Sequence, residues 1–119
     1  MKSTEQIDIH LSSFVKSFVE KKRQERWLHF LCKRPKQTYK NSANLLNHLD
    51  ERFYKEVDEI DNIPNNGKGV FFDFYNPPKI IDFKEAFEEG VNEDAIFSYK
   101  PGELAVYFFH EGWIFLCEK

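Results

Sequence analysis

The chain has 119 residues, the size of one domain, and is long enough to bury a core without disulfide or metal staples. Hydrophobic residues make up 41% and charged residues 31%, which excludes a disordered chain. The net charge of −3 hides an asymmetry: residues 1–55 carry 12 Lys/Arg against 6 Asp/Glu, a balance of +6, and residues 56–119 carry 5 against 14, a balance of −9. Such a split points to charged partners, or to halves that attract each other in the fold. The 13 Phe, 5 Tyr and 2 Trp promise a dense core with rings to spare for a partner surface. No apolar run approaches the roughly 20 residues of a spanning helix. Lys2, Glu5 and Asp8 interrupt the place where a signal peptide has its apolar stretch, so a cytoplasmic chain is expected.

Ser3 and Gln6 have capping-box spacing, and Ile7, Leu11, Phe14, Val15, Phe18 and Val19 repeat along one helical face. A second helix is predicted over Glu20–Lys33, stopped by Pro35. Trp27, Leu28 and Leu31 share its apolar side, and Lys22, Arg26, His29 and Lys33 form a cationic stripe opposite. A third helix covers Gln37–Leu49, with Tyr39, Leu46 and Leu49 inward. Phe53, Val57 and Ile60 mark short turns, and Pro64-Asn65-Asn66-Gly67 is a break.

Beyond the break the period changes. Val70–Tyr75 reads as a buried strand that Asn76-Pro77-Pro78 cannot continue. Asp82 caps a short helix ending at Gly90, with Phe83, Ala86 and Phe87 inward. Strands over Ala95–Tyr99, Glu103–His110 and Trp113–Cys117 follow, joined by turns at Pro101-Gly102 and Glu111-Gly112. The order predicts one α+β domain over 1–119: a three-helix part (1–50), a connector (51–69), then a small, largely antiparallel sheet with one short helix (70–119). The strands are apolar on both sides, so one face packs on helices and the other is covered too or meets a partner.

Catalytic constellations are thin. Asn65-Asn66-Gly67-Lys68-Gly69 lacks the phosphate-loop spacing, and no G-x-S-x-G elbow occurs. His48 with Asp50 and His110 with Glu111 are acid–base pairs on paper, without a nucleophile to serve. Cys32 and Cys117 are too few for a zinc site; His29 and Cys32 stand at i, i+3 but lack a second ligand pair. No enzyme, no cofactor and no metal is therefore expected. Two binding readings remain. Lys22, Arg26, His29 and Lys33 would contact RNA phosphates, or form a solvated helix face, and the pI near 5.8 favours the latter. Asp58, Glu59, Glu85, Glu88 and Glu89 would steer a basic protein, with exposed rings at Tyr75 and Tyr107 as anchors, or again form a solvated face.

Several stretches resemble a family of small uncharacterised bacterial proteins. They are Phe14-Val15, the run Lys22-Arg23-Gln24-Glu25-Arg26-Trp27-Leu28, Pro35-Lys36, and His48-Leu49-Asp50-Glu51-Arg52. The stretch Pro101-Gly102-Glu103-Leu104-Ala105-Val106-Tyr107-Phe108 and the Glu111-Gly112 turn resemble that family's C-terminal pattern, whereas Asp58 to Ile81 departs most. By type the chain is similar to immunity proteins of bacterial toxin–immunity systems, contact-dependent inhibition among them. That likeness implies a cytosolic, non-enzymatic chain that binds one cognate toxin domain and occludes its active site, here a basic nuclease. RNA association through the basic helix is the alternative.

Overall fold

Six antiparallel strands form a single sheet in the order β1-β6-β5-β4-β2-β3, and both faces of that sheet are covered. A computed structural model describes residues 3–36 and 38–119, and of Ser3 only the backbone. The expected Ser3 capping box, the place of Lys2 and the predicted helix start at Gln37 lie outside the described residues.

Helix α1 (Ser3–Phe18) buries Leu11, Phe14, Val15 and Phe18, as its spacing predicts. The second helical run changes pitch along its length. A 3₁₀ turn over Lys21–Arg23 leads into α2 (Gln24–Leu28), and a π turn over His29–Lys33 follows. Arg34 ends it in the left-handed region at φ 51°, just before Pro35. The third run begins as a 3₁₀ helix over Thr38–Asn44 and ends as α3 (Leu45–His48). Thr38 and Ser42 are the buried residues of its 3₁₀ part, and Tyr39 stays 40% exposed, against its expected inward position. Both hydroxyls stay hydrogen-bonded, Thr38 donating to the Pro35 carbonyl at 2.8 Å and Ser42 to that of Tyr39 at 2.9 Å. Glu20 N–H donates to the His48 carbonyl and Asp50 N–H to that of Phe18, clipping the ends of α1 and α3 together.

The strands are β1 (Tyr54–Glu56), β2 (Lys68–Phe72), β3 (Lys79–Asp82), β4 (Ala95–Lys100), β5 (Leu104–Phe108) and β6 (Ile114–Glu118). Helix α4 (Phe83–Gly90) lies between β3 and β4, and the Asp82 carboxylate accepts from Glu85 N–H at 2.8 Å, as predicted. Two strands are additions to the predicted set. β1 forms inside the expected connector and pairs with β6, Tyr54 opposite Cys117. β3 resumes the sheet one residue past Pro78, because the two prolines sit in the turn and cost no ladder bond. For the same reason β2 stops at Phe72, three residues short of the predicted end at Tyr75.

Strand alternation feeds two cores. Ala105, Tyr107, Ile96, Val70, Phe72, Phe115 and Cys117 join the helical layer, while Leu104, Val106, Phe108, Phe97, Phe71, Ile114 and Leu116 join the opposite one. That opposite layer is built by topology. The segment after β1 starts at one edge of the sheet and must reach β2, four strands away, so it crosses the face. It packs Val57, Ile60 and Ile63 against the same cluster as Phe83, Ala86 and Phe87 of α4. Gly102 and Gly112 take φ of 72° and 89° in the hairpin turns, a region that other residues enter only at a cost.

Candidate functional site

The two layers sort the charge. Lys22, Arg26, His29 and Lys33 are all exposed on the helical side, as are Lys16, Lys21, Arg23, Lys36 and Lys40. On the other side Asp58, Glu59 and Asp61 of the crossing segment are exposed, together with Glu85, Glu88 and Glu89 of α4 and Glu93 just after it. The start of α4 is tied to the end of the crossing segment, because Phe83 N–H donates to the Gly67 carbonyl and Lys84 N–H to that of Asn65. The two acidic clusters, separate in sequence, therefore share one face.

Little cancels this separation. Among the described residues every ion pair joins partners within one half of the chain: Arg34 with Asp8, Arg52 with Asp50, Lys79 with Glu89, and His110 with Asp94 and Glu111. The exposed cations of the helical layer lie on the side of the sheet opposite the acids of α4 and the crossing segment. The only acid of α4 in an ion pair among the described residues is Glu89, 2.8 Å from Lys79. The acids at the C-terminal end of α4, Glu88 and Glu89, also sit where the helix dipole is negative, and no basic residue occupies that last turn.

One of the two expected anchor rings needs correction. Tyr107 is fully buried, since it points from the central strand β5 into the helical core, where its hydroxyl donates to the Ser42 carbonyl at 3.4 Å. Burial pushes that phenol far above its ordinary pKa. Tyr75 is exposed as expected, at 69%, and its ring stacks on Tyr39 of the helical layer, centroids 5.4 Å apart.

The candidate acid–base groups are also rearranged. His48 Nδ1 accepts from the Trp27 indole at 2.9 Å, and burial, assisted by nearby cations, holds the imidazole below its usual pKa. Asp50 is taken by Arg52, with bonds of 3.0 and 2.7 Å that lower its carboxyl to about 2, so His48 and Asp50 form no pair. His110 Nδ1 stands 3.0 Å from Asp94, a partner the sequence reading missed, and its Nε2 lies 3.6 Å from Glu111. The signal for Asp94 was the hairpin register, because pairing Ala95 with Phe108 brings the residues flanking those strand ends together. Ser42 touches Asp94 at 3.2 Å instead of the imidazole, so the order of a nucleophile–base–acid relay is not formed. A serine–histidine contact, His10 to Ser98 at 2.8 Å, was also missed; Ser98 is fully buried. His29 is exposed and Cys32 half-buried, its thiol pushed up by burial. No group of three or more His, Cys, Asp or Glu gathers in metal-holding geometry among the described residues.

No helix of the described residues is long and apolar enough to cross a membrane. No family model, no curated protein and no solved structure matches this chain. Function has to be read from the molecule's own surface.

Proposed function

We propose that this chain is a non-enzymatic immunity protein, which binds a cognate bacterial toxin domain and occludes a basic nuclease active site. The supporting observation is the union of the two acidic clusters on one face, with no ion pair among the described residues reaching them from the basic half. Asp58, Glu59, Glu85 and Glu88 present carboxylates as a phosphate backbone would, on a layer fixed to the sheet by Ile63, Phe83 and Ala86. Such a field speeds capture of a cationic partner and excludes other acidic ones. Tyr75 and Tyr107 take no part in this interface. Its contacts are ionic, and its affinity falls steeply with salt.

The test is to capture the chain's partner from its source bacterium, then titrate the recovered toxin domain against wild type and a Glu85→Lys/Glu88→Lys variant. The expected outcome is a basic nuclease that wild type inhibits at one-to-one stoichiometry. The variant should bind it at least about tenfold more weakly, on the scale of interface charge pairs. Equal affinity of the two forms, or a partner that is not inhibited, overturns the reading.

A further inference from the structure

The basic side carries a groove that this function does not use. It lies between the π turn over residues 29–33 and the 73–77 loop, and it holds about 500 Å³. Lys33, Arg34 and Lys36 contribute its charge, and no acidic side chain lines it. The buried Phe72 and Phe74 form part of its wall, and the stacked Tyr39 and Tyr75 supply exposed ring area. A larger concavity of about 970 Å³ near Trp113 mixes Lys21, Lys22 and Arg52 with Glu20, Asp50, Glu51 and Glu56, so it presents no field of one sign.

We infer that the Tyr39–Tyr75 groove binds a nucleobase together with its phosphate, presented by single-stranded RNA or by a free nucleotide. Each part of that ligand has a matching group. Tyr39 covers one face of Tyr75 at 5.4 Å and an interplanar angle of 23°, and the remaining surface, 69% of the residue, is open for a base to extend the stack. Lys33 and Lys36 are exposed and make no ion pair among the described residues, so both are available to a phosphate. Arg34 is committed to the fold, because its Nη1 donates to the Leu31 carbonyl at 3.1 Å and lies 3.9 Å from Asp8.

The walls are also held in place. Asp73 accepts from Tyr75 N–H at 3.0 Å and from Asn76 N–H and side-chain amide, each at 2.9 Å. These bonds fix the loop that carries Tyr75. Arg34 and Phe74, with φ of 51° and 70°, are two of the three non-glycine residues in left-handed conformation among the described ones, and both line this groove. Backbone strain of this kind persists where its surroundings impose it, and it gathers at binding sites. The volume falls within the roughly 300–1,000 Å³ common for small-ligand sites.

The inference differs from a basic-helix reading in which Lys22, Arg26 and Lys33 act as one stripe. Lys22 lines the mixed-charge concavity, whereas Lys33 lines the tyrosine groove. The experiment is fluorescence anisotropy with labelled octauridylate at about 50 mM salt, with UMP as competitor. Wild type should bind. Tyr75→Ala should weaken binding by about tenfold and Tyr75→Phe should restore it, on the scale of one base–aromatic stack. Lys33→Ala/Lys36→Ala should flatten the log–log salt slope by about 1.4, at roughly 0.7 per single-strand phosphate. Competition by UMP assigns the site to free nucleotide, and binding of the oligomer without competition assigns it to the strand. Absence of binding by both probes overturns the inference. So does binding that Tyr75→Ala leaves intact, or that Lys22→Ala weakens as much as the groove variants do. Because Tyr75, Lys33 and Lys36 lie away from the acidic layer, failure here leaves the immunity reading standing, and the reverse holds.

Discussion

On one face of the sheet lie the 16 residues of α1 and two helical runs of changing pitch; on the other lie the eight residues of α4 and a crossing segment without regular structure. The first layer buries Trp27, Phe14, Phe18, Leu11, Leu31 and Leu45 almost completely. The second buries Phe83, Ala86 and Ile63, but leaves Val57, Ile60 and Phe87 partly open. The difference separates two tasks. The thick layer supplies most of the packing, and the thin one holds a dense set of carboxylates on a short, well-capped helix. A sheet apolar on both faces supports both, and the meeting of basic and acidic halves along the chain becomes a difference between two sides of the molecule.

The sharpest test of that division is to remove one ring from each layer. Trp27→Ala empties the largest fully buried side chain and leaves His48 Nδ1 without its donor. It should cost about 3–5 kcal/mol, a large share of the stability of a domain this size. Phe87→Ala removes a partly open ring that meets Phe83 and Phe108 edge-on, and should cost roughly 1–2 kcal/mol. Urea titrations of the two variants decide the matter. Equal losses would mean that the acidic layer is as structural as the helical one.

A drop in pH should likewise act on one layer first. His48 and His10 both pack in the helical layer, and burial, the largest cause in each case, holds their folded pKa below the ordinary value. Unfolded, they titrate near about 6.5, so below that pH the unfolded chain takes up protons before the folded one does. Stability from these groups is complete above about pH 6.5 and is lost as pH falls toward their folded pKa values. His48→Gln keeps an acceptor for the Trp27 indole and cannot titrate. Melting at about pH 7.5 and about pH 5.5 should therefore show a smaller acid loss in this variant than in wild type. An identical loss would remove His48 as a source.

How much of this was legible in the sequence follows from which signals are local. The apolar spacing of α1, the Asp82 cap and the two glycine turns are decided within a few residues, and they appear where the pattern puts them. β1 escaped because an exposed edge strand of three residues carries no apolar alternation. Tyr39 and the cationic stripe were placed with an α-helical pitch, whereas the chain uses 3₁₀ and π turns there. Tyr107 looked available because a strand apolar on both sides does not reveal which rings end up under helices. The acidic residues were readable one by one. Their union on one face depends on the crossing from β1 to β2, a fact of topology that spacing along the chain does not carry.

The smallest predicted effect tests whether the acidic layer holds its charge at a cost. Glu88 is exposed, makes no ion pair among the described residues, and sits at the negative end of the α4 dipole beside Glu85 and Glu89. A residue chosen for stability there would be a cation. Glu88→Lys should therefore raise stability by about 0.3–1 kcal/mol at low ionic strength, a gain that shrinks as salt screens the helix end. Under the immunity reading the same change weakens toxin binding, so stability and affinity move in opposite directions. Thermal melts at low and high salt, paired with a binding titration, measure both. Should Glu88→Lys instead destabilise the fold, the carboxylate would be a structural group of the thin layer, and the acidic face would no longer stand apart from the packing beneath it.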